Sequence, residues 1–153
     1  MDETMIRVMR LSAQGLYCSQ IIMALALETG GASNPELVRS MAGLAFGCGT
    51  GQGSCGVLTG ASCVLALYAG KGGPDEEESP ALMPMLEELN DWFTVCAGGL
   101  DGAVTCEAIV GPEANHSPQQ KCGTLVAEAL QKIMDLLTAH GFDPTAAKRA
   151  GGA

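Results

Sequence analysis

Residues 41–70 read MAGLAFGCGTGQGSCGVLTGASCVLALYAG, and no charged side chain falls between Arg39 and Lys71. A window of this length without charge belongs inside protein or lipid. The glycine cluster Gly47–Gly53 breaks it, and the apolar remainder from Cys55 to Ala69 is shorter than the roughly 20 residues that a bilayer demands. Two buried helices around a glycine loop are therefore expected. Ser54 offers a side-chain oxygen to cap the second helix, which would put Cys55 in its first turn. There the partial positive charge of the helix terminus favours thiolate over thiol, the setting in which cysteines become nucleophiles, redox groups or metal ligands. Three of the seven cysteines, Cys48, Cys55 and Cys63, lie in this stretch.

The periodicity on either side is also helical. Asp2 to Ala13 carries Met5, Ile6, Val8, Met9 and Leu11 in a helical pattern that Gly15 ends. In Cys18 to Glu28, the residues Cys18, Ile21, Ile22 and Leu25 share one face. Asn34 caps and Pro35 begins a third helix, predicted over Pro35 to Phe46. Ser54 to Tyr68 is the fourth, with Gly56 and Gly60 four residues apart as a smooth stripe for close backbone packing. Each glycine costs about 1 kcal/mol in a helix relative to alanine, which tight packing must recover.

After the hydrophilic break KGGPDEEESP, Leu82 to Val95 forms a fifth helix and Ala103 to Val110 a short one. The last runs from a Ser117–Gln120 capping box to Gly141, with Cys122 about one turn inside it. No alternating run bounded by turn residues suggests a strand, and no repeat is present. The expected fold class is all-α: a compact single-domain bundle of about six to seven helices over residues 1–141, with a buried glycine- and cysteine-rich helix pair. Residues 142–153 are expected to form a flexible tail.

The charge balance narrows the function. Seventeen acidic residues against eight basic give a net charge of −9, which repels nucleic acid and anionic membranes. Aromatics make up only 4% of the chain, so aliphatic residues, eight methionines and close backbone approach must fill the core. The N-terminal segment does not read as a secretory signal, and a cytoplasmic protein is expected. Seven cysteines are many for that compartment and cannot all pair within one chain, so redox chemistry or metal ligation fits better than a disulfide framework.

Cys18, Cys55, Cys106 and Cys122 each fall at or near a predicted helix start. If the four starts converge, the site could hold a metal centre or a pair of exchangeable disulfides; the bland alternative is four small apolar core fillers. Cys48, in the loop, is a candidate resolving thiol. Cys63 lies about 80° around the helix from Cys55 and reads as filler, as does Cys96 at a helix end. His116 and His140 read as a loop residue and a near-terminal residue, and Asp91 and Trp92 as helix decoration and a packing anchor. The glycine loop lacks the lysine and serine or threonine of a P-loop.

These residues also carry a resemblance. Cys18 in YCSQIIMAL, Cys55 in SCGVLTGA, Cys106 in TCEAIVG and Cys122 in KCGTLVAEAL resemble, in order, the four cysteines of the C_GCAxxG_C_C family of putative redox-active proteins. The likeness spans about Gly15 to Leu137, and its most specific piece is Cys55-Gly56-Val57-Leu58-Thr59-Gly60, similar to CGAxxG. The chain departs at Val57, where the family has alanine, and adds Cys48, Cys63 and Cys96.

The resemblance implies a small helical protein with a redox role, and similar modules attached to cytochromes point to an iron–sulfur cluster. Three readings stand. In the first, Cys18, Cys55, Cys106 and Cys122 bind a 2Fe–2S or 4Fe–4S cluster, or Zn, and exchange electrons with a redox partner protein. In the second, the chain is a cofactor-free thiol–disulfide oxidoreductase in which Cys55 attacks and Cys48 or Cys18 resolves. In the third, it is a non-catalytic accessory module that dimerises through the glycine-lined helix.

Overall fold

The computed structural model describes residues 2–111 and 118–146. Among them it contains seven helices and no strand: α1 (Glu3–Ala13), α2 (Cys18–Thr29), α3 (Pro35–Ser40), α4 (Gly56–Ala69), α5 (Leu82–Ala97), α6 (Cys106–Val110) and α7 (Pro118–Ala139). The all-α bundle expected from the periodicity is the fold. None of these helices is long and apolar enough to cross a membrane. Local chemistry sets several starts: Asp2 accepts from the amide of Met5 at 2.8 Å, and Asn34 from that of Leu37 at 3.1 Å, with Pro35 at the first helical position.

The charge-free window explains the layout. Helix α4 buries Val57, Leu58, Ala61, Val64 and Leu65, and the other helices contribute Val8, Ile22, Leu25, Met85, Leu89, Phe93, Ile133 and Leu137 to the same core. The glycine stripe packs against α2 inside the chain. A methyl group on Gly60 would lie 2.7 Å from Ile22 Cγ2 and 3.2 Å from Ser19 Cα, so the two backbones approach more closely than any side chain allows. Ser19 is fully buried at this crossing, and its hydroxyl donates to the Met41 carbonyl at 2.7 Å.

Two expectations around the glycine loop are corrected. The third helix does not reach Phe46: α3 stops at Ser40, a 3₁₀ turn covers Met41–Leu44, and Ala45–Cys48 forms a left-handed turn. Phe46, Gly47 and Cys48 have φ of 55°, 61° and 57°, and the Gly49 amide closes the turn onto the Ala45 carbonyl at 2.8 Å. The cause is closure of the loop on itself. A Cβ on Gly47 would sit 2.5 Å from the Gly53 carbonyl oxygen, an approach a right-handed helix continuing through this position would not deliver.

Nor does Ser54 cap α4. Cys55 occupies the N-cap position, while Ser54 pairs with Thr105 in an isolated antiparallel bridge. His116, Ser117 and the capping box built on Ser117 lie outside the described residues. Beyond α7, Phe142 packs against the core and the Tyr68 hydroxyl donates to the Pro144 carbonyl; the tail from residue 147 onward is outside the described residues.

Candidate functional site

The four helix-start cysteines line a single cavity of about 790 Å³. Cys18 is the first residue of α2, Cys55 the N-cap of α4, Cys106 the first residue of α6, and Cys122 lies one turn into α7. Short backbone hydrogen bonds fix the Cys55 and Cys106 termini side by side. Around the Ser54–Thr105 bridge, the Cys55 amide donates to Val104 at 2.7 Å, the Cys106 amide to Gly53 at 3.1 Å, and the Glu107 amide to Gly51 at 2.9 Å. The glycine loop thus fastens α4 to α6. Thr105 caps α6 by accepting from the Ala108 amide at 3.1 Å.

Cys18 reaches the same place because of Gly56. A Cβ there would stand 3.0 Å from Cys18 Sγ and 3.0 Å from the Leu44 carbonyl oxygen. Beside Cys122, Gly123 faces Val8 of α1, where an added Cβ would make only an ordinary contact of 3.5 Å with the Val8 side chain. Of the glycines that follow these cysteines, Gly56 is the one whose missing side chain lets α2 and α4 close around the thiols.

The electrostatics run opposite to the expectation for isolated helix starts. Burial, with repulsion from the Cys55, Cys122 and Cys106 sulfurs, pushes the Cys18 thiol up to about 12. Burial and the Cys55 and Cys106 sulfurs push Cys122 up to about 11, against a lowering by Lys121. Cys55 is raised by burial and then by Cys106, although the Val57 and Leu58 amides favour its thiolate, and Cys106 is raised by burial. The helix-terminal amides act in the expected direction, but desolvation is the larger effect. Near neutral pH the metal-free site is therefore a set of neutral thiols.

The remaining candidates lie elsewhere. Cys48 is exposed on the left-handed turn, Cys63 is half-buried on α4 against the core, and Cys96 is exposed near the end of α5; none lines the cavity. All seven cysteines are free. His140 Nε2 lies 3.3 Å from Glu88 Oε1 on the surface, Asp91 is exposed, and Trp92 packs edge-to-face on Phe93. No group of three or more His, Cys, Asp or Glu among the described residues is placed to hold a metal ion.

Sequence reasoning did not single out Tyr17 and Phe46, whose rings meet edge-to-face with centroids 5.2 Å apart beside the cavity. Tyr17 adjoins Cys18 and could have been noticed for that. Phe46 carried no signal, because it sits in a segment that reads as helix and folds left-handed.

No curated protein and no solved structure matches the chain. The family model described as "Putative redox-active protein (C_GCAxxG_C_C)" matches residues 16–136, a span that includes every cysteine of the cavity. With more than half of its length matched, the chain belongs to the C_GCAxxG_C_C family.

Proposed function

We propose that this protein is an electron-transfer module in which Cys18, Cys55, Cys106 and Cys122 are the ligands of an iron–sulfur cluster. The observation that carries the reading is the sharing of one cavity by these four cysteines and by none of the other three. Four cysteines are the usual ligand set for such clusters. Ionised together, these sulfurs would repel one another; among the described residues no lysine, arginine or histidine lines the cavity, and Lys121 offsets the charge only at Cys122. A cationic inorganic centre supplies the missing charge.

Four cysteine sulfurs suit either an iron–sulfur cluster or a single zinc ion. Zinc asks for ligands gathered tetrahedrally about one point. A cluster spreads its thiolates over several irons. When bound, it would supply one-electron transfer at low reorganisation cost. The chain's own part is to present the sulfurs to one cavity, to offer the Val57 and Leu58 amides to Cys55 and the Ser19 amide to Cys18, and to keep bulk water from the buried Cys55.

The thiol–disulfide reading has less support. An attacking cysteine needs access and a lowered pKa, whereas Cys55 is 4% exposed with its thiol pushed up; of its two resolving candidates Cys48 lies off the cavity, and Cys18, which lines it, has its own thiol pushed up to about 12. The dimerisation reading loses its motive, since the Gly56/Gly60 stripe packs on α2 of the same chain. A redox protein as partner, in the cytoplasm, belongs with the electron-transfer proposal.

Protein purified without oxygen should contain iron and acid-labile sulfide with visible charge-transfer absorption, and Cys122→Ser should lose most of both. Neither iron nor sulfide in such protein, with Cys122→Ser indistinguishable from wild type, would sink the proposal.

A further inference from the structure

The thiol cavity is larger than its sulfurs require. At about 790 Å³ it falls in the roughly 300–1,000 Å³ range of small-molecule pockets, with more room than an inorganic cluster fills. Beyond the sulfurs its walls are mainly apolar, among them Val8, Leu16, Ile21 and Val126, with the Tyr17–Phe46 pair beside them. Among the described residues Glu107 is the one carboxylate in the lining, and no basic side chain joins it there. An anion would meet Glu107 with only Lys121, whose ammonium is already hydrogen-bonded to the Ile109 carbonyl, beside Cys122 to offset it, and a strongly hydrated cation would lose its water against an apolar wall.

Phe46 supplies a second, independent observation. Its backbone is left-handed (φ 55°, ψ 40°), a conformation that costs an L-residue about 1–2 kcal/mol and a glycine almost nothing. Its ring is 57% exposed, and the ring it meets is that of Tyr17, itself 44% exposed. A large apolar ring held at a steric cost, and left mostly open, is poorly explained by core packing. Closure of the loop at Gly47–Gly53 accounts for the left-handed backbone, and it leaves the Phe46 ring beside Tyr17 in the cavity lining instead of in the core. The edge-to-face pair, with planes 69° apart, offers an open aromatic face for a third ring.

We infer that this cavity, beyond its four sulfurs, is a binding site for a neutral, flat aromatic molecule of the quinone–hydroquinone class, seated against Tyr17 and Phe46. That the ligand carries electrons rests on the redox reading above. That it binds does not.

Binding is separated from redox chemistry by titrating anaerobic, thiol-reduced protein with durohydroquinone, the reduced form of tetramethyl-1,4-benzoquinone, whose methyl groups also block thiol addition. Ligand-observed saturation-transfer NMR reads the affinity. Saturable binding is expected, weakened about fivefold in Phe46→Gly and in Tyr17→Leu, as loss of an aromatic contact predicts. Reduced anthraquinone-2-sulfonate, a flat but anionic probe, should bind at least about tenfold more weakly. Tyr17→Leu keeps apolar bulk and ordinary backbone demands, so it serves if Phe46→Gly folds poorly.

The inference is overturned if wild type shows no saturable binding, if both variants bind as tightly as wild type, or if the sulfonate binds equally well. Iron-free protein that still binds durohydroquinone would remove the cluster and leave this site standing. Cluster-loaded protein that binds none would do the reverse.

Discussion

Raising the pH of the metal-free protein should destabilise it, and Cys18 should account for a defined share of the loss. In the fold this thiol is raised from its ordinary value of 9.0 to about 12, so the folded state keeps its proton after the unfolded chain has released it. The contribution to stability is then complete below about pH 9 and is lost as pH rises from there toward the folded value. At about pH 10 the unfolded thiol is mostly ionised and the folded one is not, which gives a loss on the order of 1–2 kcal/mol relative to pH 8. Cys122, raised to about 11, adds in the same direction. Its greater solvent access roughly halves its share.

Together the two thiols predict a loss of about 2 kcal/mol, a measurable part of the 5–15 kcal/mol typical of a domain. The assay is urea unfolding of reduced, chelator-treated protein under nitrogen near pH 8 and near pH 10, for wild type and Cys18→Ala. Loss of lysine charge and the growing negative charge act on both proteins, so the difference between their two drops isolates Cys18. A wild-type drop no larger than that of Cys18→Ala would refute the claim that burial and neighbouring sulfurs hold this proton. Cluster-loaded protein, in which the ligands are already thiolates, should lose this component of the pH dependence.

Other substitutions test the packing that assembles the site. Gly60→Ala should destabilise the protein by about 1–2 kcal/mol in urea unfolding, because overpacking against Ile22 and Ser19 outweighs the gain of about 1 kcal/mol in helix propensity. Gly56→Ala, whose methyl group lands 3.0 Å from Cys18 Sγ, should lower iron content more than it lowers the unfolding midpoint, read by metal analysis beside denaturation. At position 46 the usual order reverses: Phe46→Gly should be more stable than Phe46→Ala by about 1 kcal/mol, since both lose the ring and only alanine keeps the left-handed strain. Cys96→Ser, exposed and away from the cavity, should leave iron content and stability within about 0.5 kcal/mol of wild type.

The helices were legible because their signals are local. Apolar spacing marks α1, α2, α5 and α7, and Asn34-Pro35 marks the start of α3 in the residue types themselves. The choice of Cys18, Cys55, Cys106 and Cys122 was legible for a related reason: each lies near a local start signal. Their meeting in one cavity was not, since it depends on backbone pairing between Gly51–Cys55 and Val104–Glu107, segments separated by two helices. The left-handed turn at Phe46–Cys48 was hidden for the same reason. Its cause is the contact of Gly47 with Gly53, which apolar periodicity cannot encode, so the segment read as a continuation of α3.

The direction of the thiol shifts exposes a conflict that bears on what the site is for. A helix terminus lowers a thiol's pKa when solvent shares the charge, and the same terminus inside a cavity with three other sulfurs cannot do so. A site selected for a reactive thiolate would keep its cysteine partly exposed beside a cation. Here Cys55 is buried, its neighbours are sulfurs, and Lys121 reaches toward Cys122 while its ammonium hydrogen-bonds to the Ile109 carbonyl. The amides of Ser19, Val57 and Leu58 are nevertheless aimed at sulfur. Donors that cannot by themselves stabilise a free thiolate can still tune sulfurs whose charge is already neutralised by metal, where hydrogen bonds to ligand sulfur shift the reduction potential. Burial that suppresses the bare thiolate and amides that support a bound one are consistent with a single role, that of ligands to a metal cluster.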